Sequence, residues 1–335
     1  MTWFEELANL SETNPEEVRK NITVTGESLK VKSSGKTLTC GRLETPSLSE
    51  LRARVQAYQG GSGFLSLSEV VGDAQQYHTD PVNAGALFQV ASQFNLLEMT
   101  SPNVTPEQGI GIYENDRTQG PACAVAAGAG TIYRNYFAPV KGQIGQSAHN
   151  QIDCLADLGK VLGNDHNRLW QMKNGYALAT RAGLEEISEL LRSSSEAEID
   201  ELRKLVRVGL QWNTQVTLND CAHLVSQAYC SALPVAYCAH PLELWEGFAR
   251  LVLEAAYEAA LCAAVINSRN TGNNRVFLTL LGGGVFGNPL NWILEALRRA
   301  LRLFAARNIA VEIISFRQSN PRVQELVHSF TAERN

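Results

Sequence analysis

The 335-residue sequence predicts an α/β sandwich with a mostly parallel core. Three observations carry this. Short apolar runs with strand propensity alternate with longer helical patterns, the order from which parallel sheets are built. The last such unit is complete: strand-like Val276 to Leu281, a glycine turn, helical Leu290 to Ala306 and strand-like Ile309 to Phe316. A content of 44% hydrophobic and 19% charged residues is ordinary for a globular chain and supplies a sizeable core.

The elements follow in order. Pro15 to Asn21 reads as a short helix, and the alternation in ITVTGESLKVKSSGKTLTCGRL as a small hairpin. A helical stretch runs from Pro46 to about Tyr58, and the Gly-Gly-Ser-Gly at 60–63 marks a boundary. Residues 1–65 are therefore expected to form an N-terminal extension and 66–335 the main domain. Leu87 to Ala91, apolar and without helix caps, reads as a buried strand. Pro102, Pro106, Gly109, Gly111 and Gly120 keep the next stretch irregular until PACAVAAGAG supplies a proline at a helix start. Loops of this length in compact domains are usually functional. Residues 150 to about 205 look largely helical, with charged amphipathic runs on either side of Ser193 to Ser195, and read as a solvated helical insertion. Residues 205–216 and 223–237 carry strand propensity, and Pro241 precedes a long helix from Leu242 to about Ile266. Glu254 and Glu258 interrupt its apolar run, which fits a core or amphipathic helix better than a membrane span; with Tyr257 they read as polar-face residues.

Twenty-nine Lys and Arg against 34 Asp and Glu give a net charge of −5, which offers no general attraction to nucleic acid or an anionic membrane. Seven cysteines form no C-x-x-C pair and read as buried reduced thiols of a cytosolic protein. The start, MTWFEELANL, has acidic residues where a signal peptide needs basic ones. The expectation is a soluble cytoplasmic chain, or one delivered into a host cytosol without a signal peptide.

The richest stretch is VFLTLLGGGVFGNP, Val276 to Pro289. Glycines at 282, 283, 284 and 287 let the backbone approach an anion, and the following helix adds the positive end of its dipole. This reads as a phosphate cradle formed by Gly282, Gly283, Gly284, Val285, Phe286, Gly287 and Asn288. The same glycines satisfy G-x-G-x-x-G, but the chain ends soon after the next strand and position 307 is Arg, so a dinucleotide-binding unit is not supported. No Gly-Lys-Ser/Thr follows, so the Walker pattern fails.

A second constellation, Gln93, Asn95, Glu98, Glu107, Glu114 and Asp116, lies at or beyond the carboxyl end of the 87–91 strand, the edge where open α/β sheets bind ligands. An amide can hydrogen-bond sugar hydroxyls, and a carboxylate can orient a hydroxyl, hold a water or act as general base. With the cradle, this suggests a ligand containing both sugar and pyrophosphate. No zinc framework is present, no cofactor is required by the sequence, and carboxylates within 98–116 could hold Mg²⁺ with water and phosphate oxygens. Ser231 lacks the G-x-S-x-G setting, and Cys230 has no neighbour to activate it. The Tyr-Arg-Asn-Tyr at 133–136 could stack on a base or clamp a helix end.

The segment LTLLGGGVFGNPLNWILEALRRAL resembles the second phosphate-binding loop of macrodomains, and FQVASQFN resembles the strand of that superfamily that ends in an Asn contacting the distal ribose. The run ENDRTQGPACA and the long insertion look most like the divergent MavL-type branch, related to poly(ADP-ribose) glycohydrolases. The resemblance covers about residues 70–140 and 205–320. It implies a macrodomain-like three-layer α/β/α sandwich with a mixed, mostly parallel sheet. It further implies an ADP-ribosyl hydrolase that binds ADP-ribose and removes it from modified protein, most simply from arginine, with ubiquitin as one carrier. By the same resemblance, Asn95 and Phe286 would place the distal ribose, Asp73 would contact adenine, and Glu98 with Asp116 would do the chemistry, with Glu107 and Glu114 in reserve. The sequence lacks the Asn-Ala-Ala-Asn of ordinary macrodomains and the Gly-Gly-Gly followed by Gln-Glu-Glu of the glycohydrolases. The alternatives are a non-catalytic ADP-ribose reader and an interaction protein that uses its helical insertion.

Overall fold

The computed structural model describes residues 1–58 and 63–333. Gly60, Gly61 and Ser62 of the expected boundary lie outside the described residues. Two short helices, α1 (Trp3–Ala8) and α2 (Pro15–Asn21), open the chain. They lead into an antiparallel sheet of β1 (Ile22–Thr25), β2 (Ser28–Val31) and β3 (Thr37–Thr39). Next come β4 (Arg42–Glu44), α3 (Leu48–Gln56), β5 (Ser66–Val71), α4 (Ala74–Thr79) and β6 (Leu87–Ala91). After a long loop follow α5 (Gln119–Ala126), α6 (Gly128–Tyr136) and a small ribbon, β7 (Pro139–Val140) and β8 (Gln143–Ile144). The insertion holds α7 (Ala156–Leu162), β9 (Trp170–Lys173), β10 (Tyr176–Ala179), α8 (Arg181–Ser193) and α9 (Glu196–Arg203). The remainder is β11 (Gly209–Gln215), β12 (Leu224–Cys230), α10 (Leu242–Thr271), β13 (Arg275–Leu278), α11 (Leu290–Leu303), β14 (Ala310–Ser315) and α12 (Pro321–Ala332).

The main sheet has seven strands in the order β4-β11-β12-β6-β13-β14-β5. From β12 to β5 every pairing is parallel, and β4 and β11 add an antiparallel edge. Helices cover both faces, as successive residues of β12 show: Cys230 packs on Ala256 of α10, whereas Tyr229 reaches Arg134 of α6. The result is a three-layer α/β/α sandwich with a mixed, mostly parallel sheet.

Helix α10 is buried almost all round from Leu251 to Asn267, the pattern of a helix inside a core rather than on a surface. Glu254 and Glu258 are buried and are not polar-face residues in solvent. Glu258 pairs with Arg52 and Arg299 at 2.5 and 2.7 Å, and Glu254 with Arg203 at 2.6 Å. Buried carboxylates need such partners, since the desolvation cost is otherwise several kcal/mol per ion. No helix among the described residues is long and apolar enough to cross a membrane.

The N-terminal segments split between two cores. Residues of α1, α2 and β1–β3 form a second apolar cluster against the outer side of α5 and α6, through Phe4, Val18, Leu29 and Ile132. Strand β4 joins the main sheet beside β11, and α3 packs on α10. The insertion is not wholly helical: β9 and β10 form a hairpin whose turn residues, Asn174 and Gly175, both have positive φ, the backbone that an Asn-Gly pair favours.

Candidate functional site

A cleft of about 780 Å³ opens where the parallel strands end. Its walls carry Gly72 and Asp73 after β5, Ser92 and Gln93 after β6, Ala232 after β12, Thr279 to Gly282 after β13 and Phe316 after β14. All five parallel strands thus present their carboxyl ends to one space, as expected for an open α/β sheet.

One wall is the glycine turn. Gly282 has φ of +75°, and a Cβ there would lie 2.5 Å from the Cβ of Ala232, so both conformation and space require glycine. Tyr257 of α10 braces the turn from below: its hydroxyl donates to the Thr279 carbonyl at 2.7 Å and accepts from the Leu281 N–H at 2.8 Å. Asn288 braces it from the side, donating to Leu233 and Gly282 carbonyls. Among the described residues, the N–H groups of Gly282, Gly284, Val285 and Phe286 have no acceptor. These four residues line the cleft. A set of adjacent unpaired N–H groups on a concave wall is a site for anionic oxygens.

Another part of the lining carries the carboxyl groups. Glu98 lines the cleft although only 1% exposed. Its N–H donates to the Tyr113 hydroxyl at 3.1 Å, its Oε1 lies 3.5 Å from Arg134 Nη2, and its Oε2 has no protein partner. Burial pushes its carboxyl up to about 8 against the opposing pull of Arg134, so it holds a proton at neutral pH. Asp116, half-buried on the same wall, accepts from the Thr118 N–H at 2.9 Å, and α5 begins just beyond without a side-chain cap. Gly120 lets that helix start approach the sheet, for a Cβ would fall 2.0 Å from the Ala91 carbonyl oxygen.

This carboxylate loop is held by the N-terminal segment. Glu12 accepts from the N–H groups of Ile110 and Gly111 at 2.9 and 2.7 Å and from the Tyr136 hydroxyl. Trp3 donates from its indole to the Ile110 carbonyl at 2.9 Å, and the Trp3 N–H donates to Glu114 at 2.8 Å.

At one end of the cleft Tyr176, Tyr237 and Phe286 pack with ring centroids 5.1–5.6 Å apart. Tyr176 comes from the insertion hairpin, and its hydroxyl donates to the Met99 carbonyl at 2.7 Å. At the other end Phe316 is 54% exposed, with the Arg317 guanidinium 4.8 Å from its ring centre.

The expected residues divide by position. Glu98, Asp116, Asp73, Gln93, Gly282, Gly284, Val285 and Phe286 line the cleft. Asp73 does so while capping α4 through the Gln75 N–H, and Gln93 while bonding the Met99 backbone on both sides. Gly283, Gly287 and Asn288 shape the turn without lining the cleft. Asn95 is fully buried outside it, donating to Gln151 and accepting from Leu97. Glu107 accepts from the Ala148 N–H and Glu114 from Trp3, both away from the cleft. Among the described residues no group of three or more His, Cys, Asp or Glu gathers as a metal site. Sequence reasoning missed Tyr176, Tyr237 and Phe316. The Asn-Gly turn beside Tyr176 and the aromatic ending the last strand were the available signals.

Comparison with protein-family models and with curated proteins gives no match. Among solved structures the chain is similar to poly(ADP-ribose) glycohydrolases from two bacteria. That of Thermomonospora curvata is 13% identical, with 99% of this chain and 98% of that chain covered, and a TM-score of 0.41. That of Deinococcus radiodurans, in complex with ADP-ribose, is 13% identical, with 87% and 92% covered and a TM-score of 0.43.

Proposed function

We propose that this protein is an ADP-ribosyl hydrolase that takes ADP-ribose in the strand-end cleft and removes it from modified protein. One observation carries the reading: four residues whose backbone N–H groups have no acceptor among the described residues line the same cleft as Glu98, a buried carboxyl whose Oε2 has no partner among them. A pyrophosphate satisfies the first and a glycosidic leaving group the second. The adenine end would rest on Phe316 near Asp73, and the distal ribose against Phe286 and Tyr176, beside Glu98.

In the proposed reaction Glu98 gives its proton to the leaving nitrogen as the C1′–N bond breaks, and Asp116 holds a ribose hydroxyl or the water that adds to C1′. The half-buried Asp116 complements a guanidinium acceptor, which favours arginine-linked ADP-ribose and the MavL-type branch, with ubiquitin as one carrier. Calorimetric titration with ADP-ribose, with AMP and NAD as comparators, tests the ligand. Selective, saturable binding is expected, and its absence would leave the glycine turn as architecture. Release assays on arginine-, glutamate- and serine-linked substrates then test the chemistry; binding without release on any of them identifies a reader.

A further inference from the structure

We propose that Arg134 is a positioning residue for Glu98, held in place by a buried line of hydrogen bonds that runs away from the cleft to His78. This rests on the hydrolase reading of the cleft only in what Glu98 is used for. Arg134 sits on α6, has no exposure and does not line the cleft, so it touches no ligand. Its guanidinium is engaged on every side. Nε donates to the Leu96 carbonyl at 3.0 Å, Nη1 to the Tyr229 hydroxyl, and Nη2 to Thr131 Oγ1 at 3.2 Å and to Glu98 Oε1. The plane also lies over the Tyr229 ring, 3.7 Å from its centre.

The line continues in one direction. The Tyr229 hydroxyl donates to Gln227 Oε1, and Gln227 Nε2 donates to His78 Nε2 at 3.0 Å. His78 Nδ1 faces the Ala74 carbonyl at 2.8 Å and must donate, which leaves Nε2 as the acceptor. Burial holds the His78 pKa down at about 4, so the ring stays neutral and this tautomer persists. Each hydroxyl and amide therefore has one way to point, and the guanidinium one place to stand.

The consequence falls on Glu98. Arg134 engages Oε1, and Oε2 is left without a protein partner in a side chain that lines the cleft. When Glu98 releases its proton, the O–H bond breaks, a bond to the leaving nitrogen forms, and the new carboxylate stands beside a fixed cation in a dry setting. The other titratable groups facing Glu98 are Tyr113 from the carboxylate loop, Tyr229 from β12 and Cys123 from α5. Burial pushes all three up, so none of them carries charge at neutral pH.

The test uses the full chain with carbon-13-labelled glutamate, Glu98 being assigned by its loss in Glu98→Gln. Tyr229→Phe keeps the ring and removes the hydroxyl that fixes Arg134; Arg134→Lys keeps the charge and removes the fork. In both, the Glu98 carboxyl is expected to titrate higher by about one pH unit. On arginine-linked substrate, kcat is expected to fall about tenfold with KM unchanged. A Glu98 titration that stays at the wild-type value in both folded variants overturns the proposal. Absence of turnover in the wild type would remove the hydrolase reading instead, and the titration would still decide Arg134. If Arg134→Lys fails to fold, Tyr229→Phe carries the decision alone.

Discussion

The two loops that line the cleft, one carrying carboxyl groups and one glycines, are built on opposite rules. The carboxylate loop is tied down: Glu12 from the N-terminal segment takes two of its N–H groups, the loop's own Tyr113 takes a third, and Trp3 clasps both Ile110 and Glu114. The glycine loop is braced from beneath, yet among the described residues it leaves the N–H groups of Gly282, Gly284, Val285 and Phe286 without acceptors. A loop that must hold an acid in place spends its backbone on internal bonds. A loop that must receive an anion keeps them unspent, because an N–H already bonded has little left to offer a phosphate.

The strongest way to break this contrast is to remove the acid and keep its shape. Glu98→Gln is expected to lower turnover by about 10²- to 10⁴-fold while ADP-ribose still binds, as read by single-turnover assay and calorimetry. Full turnover would move the chemistry off the carboxylate loop. Wild-type turnover should hold below about pH 8 and fall above it, since the donor must keep its proton. Stability carries the same sign. The folded pKa of about 8 stands above the ordinary 4.5, so the contribution is fullest below about 4.5 and is lost as pH rises to about 8. Glutamine has no proton to lose, so denaturant melts above pH 8 should show the variant gaining stability relative to wild type.

The glycine loop is challenged by Gly284→Glu. A Cβ there meets nothing within 4 Å, so the fold should hold, while the new carboxylate occupies the anion cradle. Binding of ADP-ribose is expected to weaken by about 100-fold or more with an unchanged Tm, since loss of a charge-assisted site and added repulsion each cost about 1–3 kcal/mol. A lower Tm with unchanged affinity would make this loop structural too. Glu12→Ala tests the restraint on the other side. Two N–H groups lose their acceptor, at about 1–3 kcal/mol each, and activity should fall with stability. A variant that loses stability but keeps full kcat would show that the tether does not serve the acid. Tyr176→Phe is the mildest, removing the bond donated to the Met99 carbonyl, at about 1 kcal/mol, and the long one accepted from Gln93 Nε2, and sharpening whether the insertion hairpin orders the distal end.

Much of the frame was legible because it is local. Leu87–Ala91 and Pro15–Asn21 occur at the expected positions, and the long helix and the glycine turn announce themselves by composition and spacing. What escaped depends on distant partners. Asn95 sits two residues beyond Gln93, yet its amide bonds Gln151 and it is buried away from the cleft. Glu114 and Glu107 read as cleft carboxylates, and each is taken by a backbone N–H that no local pattern reveals. The Tyr-Arg-Asn-Tyr at 133–136 left a stacking surface and a helix-end clamp both open, and the packing of Arg134 under Tyr229, which rules out a ligand-stacking role for that arginine, depends on a strand residue 95 positions away. The β9–β10 hairpin was hidden by the strong helical charge pattern that follows it, although Asn174-Gly175 marked its turn.

The pairing of β5 with β14, from Ser66 against Ala310 to Val71 against Ser315, has a consequence in time. The cleft's Asp73 side is fixed to its Phe316 side only when β14 meets a strand made long before it. Contacts of such sequence separation form late and depend on everything between them being in place. A ribosome must therefore have made β14 before the cleft is joined on its Asp73 side. Until then a growing chain carries both loops with the Asp73 edge of the cleft unattached to the rest of the sheet.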